Sequence, residues 1–243
     1  MLCSTFCPHL VSRVIYPASA CLFYAHFPCA VFRESCDLKH LTLRRVFLLT
    51  ISSARRASEI HAIRQDTLIR HATGVTAYVD DSFLPKVATE WHVNLPIYLP
   101  AIPDDADSDL RKLCVASCLD SYLTATQGFR AQPGASQLLL CYGKAKLGRP
   151  VSKQRVSTWL KEVVMAAYSA LGQPLLASVK GHDTRKVATS WAHVAGVEPR
   201  MICEAAMWQS TSMFARFYKL DLLHADHGEL GRRVLQLATP APT

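Results

Sequence analysis

No Gly-rich phosphate loop, no His-Glu-x-x-His helix and no Gly-x-Ser-x-Gly elbow occurs in the 243 residues, and glycine itself is sparse, at 10. The usual signatures of nucleotide hydrolysis, zinc proteolysis and the α/β-hydrolase fold are therefore missing. Acidic residues are also scarce: 19 against 27 basic ones, for a formal charge of +8. That balance excludes an acidic, solvating role and points to polyanionic partners. Cysteine comes to nine, an odd number with no tight even framework, so the thiols are expected to be reduced. Cys3, Cys7 and His9 offer three ligands without a fourth at finger spacing, and no bound metal is expected there. The longest stretch free of Lys, Arg, Asp and Glu is the nineteen residues Val14 to Phe32. Pro17, Ser19, His26 and Pro28 interrupt it and only Arg13 precedes it as a cation, so neither a membrane span nor a signal peptide is expected.

What is present is apolar: 50% of residues are hydrophobic and only 19% charged, enough for one globular domain of about 200 residues. Leu41, Leu43, Val46, Phe47, Leu48, Leu49 and Ile51 predict an apolar helix ending near Ser52 and Ser53, and a second helix begins around Ser58. Thr76 to Val79 and Trp91 to Ile97 read as strands of a small antiparallel hairpin or sheet, with Lys86 on or beside it. A helix is expected over Leu110 to Leu123, with Leu110, Cys114 and Cys118 on one buried face. Ser152 is the expected cap of a helix whose Val156, Trp159, Leu160, Val163, Val164 and Ala167 share a face. Further helices are expected over His182 to Ala195, Pro199 to Ala206 and Thr211 to about Leu220. The fold class is mainly α with a small antiparallel β-sheet or hairpin.

Charge is unevenly placed. Between Asp120 and Glu162 there is no acid, while Arg130, Lys144, Lys146, Arg149, Lys153, Arg155 and Lys161 all fall there. Seven uncompensated cations predict phosphate contact, with Lys144, Lys146, Arg149, Lys153 and Arg155 as the DNA-binding set.

Three local patterns remain: Arg55-Arg56-Ala57-Ser58-Glu59, His182-Asp183-Thr184-Arg185, and Trp208 followed by Phe217-Tyr218. Each alone is weak. In the order Arg, Lys, His-x-x-Arg, Trp, Tyr the set resembles the catalytic domain of the tyrosine recombinase, or phage integrase, family. The matching positions are Arg56 in Arg-x-Ser-Glu, Lys86, His182, Arg185, Trp208 and Tyr218. The phrase Arg55 to Ala62, and Trp208 followed by Phe214 to Tyr218, is similar to the eukaryotic transposon and retroelement branch. The resemblance implies the DNA breaking-rejoining fold over residues 38–222, after an atypical segment 1–37 and before a tail 223–243. It implies double-stranded DNA as partner, a homo-oligomer (a tetramer on paired sites), no membrane, no cofactor, no metal, and a nuclear location if the source is a eukaryotic mobile element, otherwise a cytoplasmic one.

Phosphate chemistry assigns the same roles. Attack on a phosphodiester builds negative charge on its equatorial oxygens, which two guanidiniums, Arg56 and Arg185, can hold through forked hydrogen bonds. Tyr218 would attack phosphorus and form a 3′-phosphotyrosyl ester, which conserves the bond energy for religation. His182 would accept the phenolic proton and Lys86 would protonate the departing 5′ oxygen. Trp208 offers an indole N–H to a phosphate oxygen, and Glu59 orients Arg56. The alternative is a DNA-binding relic of a mobile element without turnover, because only about forty residues precede the first matching helix and no helical core-binding domain is recognisable there.

Overall fold

The computed structural model describes residues 37–85, 95–130, 136–170, 180 and 183–214. Its centre is helix α1, Leu38–Ser53. Asp37 caps it by accepting a hydrogen bond from the Lys39 N–H at 3.2 Å. Ala54 stops it in a left-handed conformation at φ 53°, its N–H still bonded to the Thr50 carbonyl. Every residue from Leu41 to Thr50 is buried, as expected of a helix surrounded on all sides. Its buried hydroxyls turn inward on the helix itself: Thr42, Thr50 and Ser53 donate to the carbonyls four residues back. Two arginines are buried with them. Arg44 donates to the Lys112 carbonyl, and Arg45 places its guanidinium 5.2 Å from the centre of the Tyr122 ring. Burial pushes the Arg45 pKa down.

Around α1 pack α4 (Val115–Thr126), α5 (Lys153–Ala170), α6 (Asp183–Val194) and the strand Ile97–Pro100. The six-residue α2, Ala57–Ala62, lies against α1 and α5. The main core joins Val46, Phe47 and Leu49 to Leu119, Tyr122, Trp159, Leu160 and Val163. The α5 face read from the sequence is buried as expected, and Ser152 accepts from the Arg155 N–H at 3.3 Å. Two short helices, α7 (Pro199–Ala205) and α8 (Thr211–Met213), close a second cluster of Ala54, Ile202, Cys203, Ala206, Trp208 and Phe214.

Among the described residues the sheet has three antiparallel strands in the order β1 (Ile69–His71), β2 (Gly74–Ala77), β3 (Ile97–Pro100). Val75 pairs with both Arg70 and Leu99. The first expected strand lies two residues earlier; of the expected Trp91 to Ile97, residues 91–94 lie outside the described residues, 95 and 96 are not strand, and the strand described runs from Ile97 to Pro100. Ile97 and Leu99 alternate inward while Tyr98 faces out, so the period of two sits between the two prolines. Residues 86–94, with Lys86 and Trp91, lie outside the described residues, as do the segment Val14 to Phe32 and Cys3, Cys7 and His9.

The helix expected over Leu110 to Leu123 is two helices. A short α3, Ser108–Lys112, stops before Cys114, which adopts an extended conformation at ψ 113° and caps α4. The Cys114 sulfur accepts from the Ile102 and Ser117 N–H groups. Burial opposes ionisation of that thiol, but these donors outweigh it and hold its pKa below the usual value. Leu110 is 47% exposed, so it does not share a buried face with Cys114 and Cys118. The described cysteines, Cys114, Cys118, Cys141 and Cys203, are all unbridged.

Candidate active site and nucleic-acid interface

Arg56 stands at the first turn of α2, extended at φ −71°, ψ 151°. Glu59, three residues on, grips it twice: its carboxylate accepts from the Arg56 backbone N–H at 3.0 Å and from Nη1 at 3.2 Å. Glu59 is buried and Arg56 keeps 27% of its side chain exposed, so the carboxylate is fixed and the guanidinium has a solvent-facing side. Arg55 turns the other way. It is buried, donates from Nη2 to the Pro96 carbonyl at 3.0 Å, and so ties the start of α2 to the entry of β3. Burial lowers its pKa, with Glu59 acting against that shift.

Arg185 lies on the first turn of α6 and is buried, with Nη2 donating to the Ala206 carbonyl. Its guanidinium sits 4.8 Å from the centre of the Trp208 ring, a cation–π arrangement. Trp208 is 4% exposed and stacks on Phe214 at 5.8 Å. The chain reaches it through Met207, whose φ of 56° is uncommon for a side chain of that size. That turn directs the Trp208 ring inward, with the Trp208 backbone N–H bonded to the Cys203 carbonyl at 2.8 Å. Ala54, two residues before Arg56, belongs to the same buried cluster as Trp208, and α1 packs on α6. Arg185, Trp208 and the chain entering Arg56 therefore form one neighbourhood. Lys86, His182 and Tyr218 lie outside the described residues.

The basic set occupies a different place. The Lys144–Lys146 3₁₀ turn follows Gly143, and the loop closes through bonds from Cys141 N–H to the Arg149 carbonyl and from Gly148 N–H to the Cys141 carbonyl. Gly148 is required there: its φ is 74°, and a Cβ would stand 2.7 Å from the Phe129 Cβ. Lys144, Lys146, Arg149, Lys153 and Arg155 are all exposed on this loop and the first turn of α5, which carries no acid. Cations at a helix N-terminus oppose the helix dipole, so the arrangement costs stability and concentrates positive potential in one place. Arg155 is partly balanced by Glu162 at 3.6 Å. Arg130 does not belong to this surface. It is a staple, donating to Thr126 Oγ1 and to the Gln137 and Leu138 carbonyls, with its guanidinium over Tyr122. Sequence reading missed this because a loop arginine with no nearby acid looks solvated. It also left Tyr142 unassigned, although that ring stacks on Trp159 at 5.2 Å beside the basic loop. Among the described residues no cluster of His, Cys, Asp or Glu could hold a metal ion, and no helix is long and apolar enough to cross a membrane.

Helices packed round α1 with a small three-stranded antiparallel sheet give the tyrosine recombinase catalytic-domain fold. The structure resembles XerH site-specific recombinase bound to palindromic difH substrate in a post-cleavage complex, with a TM-score of 0.60 and 10% identity over 89% of this chain and 51% of that one. It also resembles XerA recombinase, at a TM-score of 0.51 and 10% identity over 86% and 65% of the two chains. The Tn1549 transposon integrase in complex with transposon right end DNA matches at a TM-score of 0.51 and 15% identity, over 80% and 58%. The chain thus spans about half the length of the XerH recombinase it matches. No family model matches the sequence, and no curated protein does.

Proposed function

We propose that this protein cleaves and rejoins double-stranded DNA through a 3′-phosphotyrosyl intermediate. The observation that carries the reading is the shared neighbourhood of Arg185, Trp208 and the chain entering Arg56, on a recombinase fold that also presents a one-sided basic surface. Arg56, oriented by Glu59, and Arg185, backed by Trp208, hold the non-bridging oxygens of the scissile phosphate. The Tyr218 oxygen bonds to phosphorus as the 5′ oxygen leaves; His182 takes the phenolic proton and Lys86 supplies one to the leaving oxygen. Rejoining reverses each transfer, so the cycle balances without nucleotide hydrolysis. Lys144, Lys146, Arg149, Lys153 and Arg155 contact the DNA backbone. Residues 38–222 form the catalytic unit, and copies of it assemble on paired DNA sites. An origin in a eukaryotic transposon or retroelement, with work in the nucleus, rests on the phrases Arg55 to Ala62 and Trp208 to Tyr218.

The test is incubation with nicked suicide duplexes. A denaturation-resistant protein–DNA adduct is expected, absent in Tyr218→Phe and strongly reduced in Arg185→Ala. Duplex binding without an adduct on any sequence pool would instead assign the chain DNA binding without turnover.

A further inference from the structure

Between the loop 141–150 and the start of α5 lies a cavity of about 550 Å³, within the size range of small-ligand sites, about 300–1,000 Å³. Its lining is mostly apolar yet includes three cations: Tyr142 and Trp159 contribute a stacked aromatic pair, and Lys144, Lys146, Ser152 and Arg155 line it with them. Arg155 lies 5.9 Å from the Trp159 ring centre. Tyr142 is half-buried and held by Trp159 on one side and by Glu162, which its hydroxyl approaches at 3.4 Å.

A paired duplex presents phosphates and could satisfy the lysines, but its bases are stacked on one another and leave no free π-face for the rings. A purely apolar ligand would leave the cations unused. An unpaired nucleotide supplies both, a π-face for the rings and a phosphate for the lysines and Arg155. We propose that this cavity takes one extrahelical nucleotide of a bound DNA strand, with its base against Tyr142 and its phosphate at Lys144, Lys146 and Arg155. The proposal rests on the DNA-binding reading above and adds a base-holding subsite to it.

The full chain is titrated with two fluorescein-labelled duplexes of one sequence, one fully paired and one carrying a single extrahelical thymidine. The wild-type protein is expected to bind the bulged duplex about tenfold more tightly, the effect of stacking one base. Tyr142→Leu, checked for folding by circular dichroism, should bring the two affinities to parity, whereas Tyr142→Phe, which keeps the ring, should retain the preference. Equal wild-type affinities, a comparison that needs no variant, would overturn the proposal while leaving DNA binding intact. A preference that survives in folded Tyr142→Leu would overturn it as well. Failure to bind either duplex would overturn the DNA-binding reading, and this proposal with it.

Discussion

A guanidinium is useful to a phosphate only if its direction is fixed, and neighbouring Arg55 and Arg56 show how a one-residue step separates two uses of the same side chain. Arg55 is anchored to the Pro96 carbonyl and Arg56 to Glu59. Glu59→Ala should lower adduct formation by one to two orders of magnitude with duplex affinity within about threefold of wild type, measured by single-turnover cleavage and by titration, because an unsupported charged hydrogen bond costs about 1.5–3 kcal/mol. Arg55→Ala should act first on stability, read as a lower Tm. Trp208→Ala removes a buried ring stacked on Phe214 and should cost about 3–5 kcal/mol in denaturant unfolding. His61 gives a pH dependence. On α2, its Nε2 lies 3.0 Å from the Val151 carbonyl, and burial chiefly, with Lys153 adding, lowers its pKa below 6.5. A depressed folded pKa means that the unfolded chain binds the proton more readily. The His61 contribution is therefore complete above pH 6.5 and is lost as pH falls through the folded value. Tm should drop on acidification through this window, and less so in His61→Gln. The pairing of Arg56 with Glu59 was legible because three-residue spacing on a helix start brings side chains together; the opposite aim of Arg55 was not, since its partner is forty-one residues away.

Among elements, α1 and α5 were legible because their apolar residues repeat along a helix and are many. The sheet was legible only as a place. Strand β1 is three exposed residues with no alternation to detect, and at Gly74 β2 comes so close to β3 that a Cβ would stand 2.2 Å from the Leu99 carbonyl oxygen. The break between α3 and α4 escaped because Cys114 was read as a small apolar side chain, whereas its sulfur serves as a helix cap. The basic loop offers an element-scale prediction. Gly148→Ala forces a left-handed backbone and a collision with Phe129, and should cost about 1–2 kcal/mol or more in stability. It should also weaken duplex binding, because Lys144, Lys146 and Arg149 are carried on the same loop.

For the whole molecule, five exposed cations gathered at one loop and helix start predict strongly salt-dependent DNA binding, with log affinity falling against log salt at a slope of about −3 to −5. The double change Lys144→Gln, Lys146→Gln should reduce that slope by about two and weaken all sequences alike. By itself the sequence determined the mainly helical class, the central and α5 helices, the location of the basic run and the residue types suited to phosphate chemistry, because each depends on composition or on neighbours a few positions apart. The tertiary structure alone decided that Arg130 is a staple, that Arg185 lies against Trp208 near the chain entering Arg56, and that Tyr142 and Trp159 wall a cavity beside the lysines. Those are meetings between different elements and loops, set by how α1 is enclosed and how the chain turns back on itself, and no local pattern encodes them.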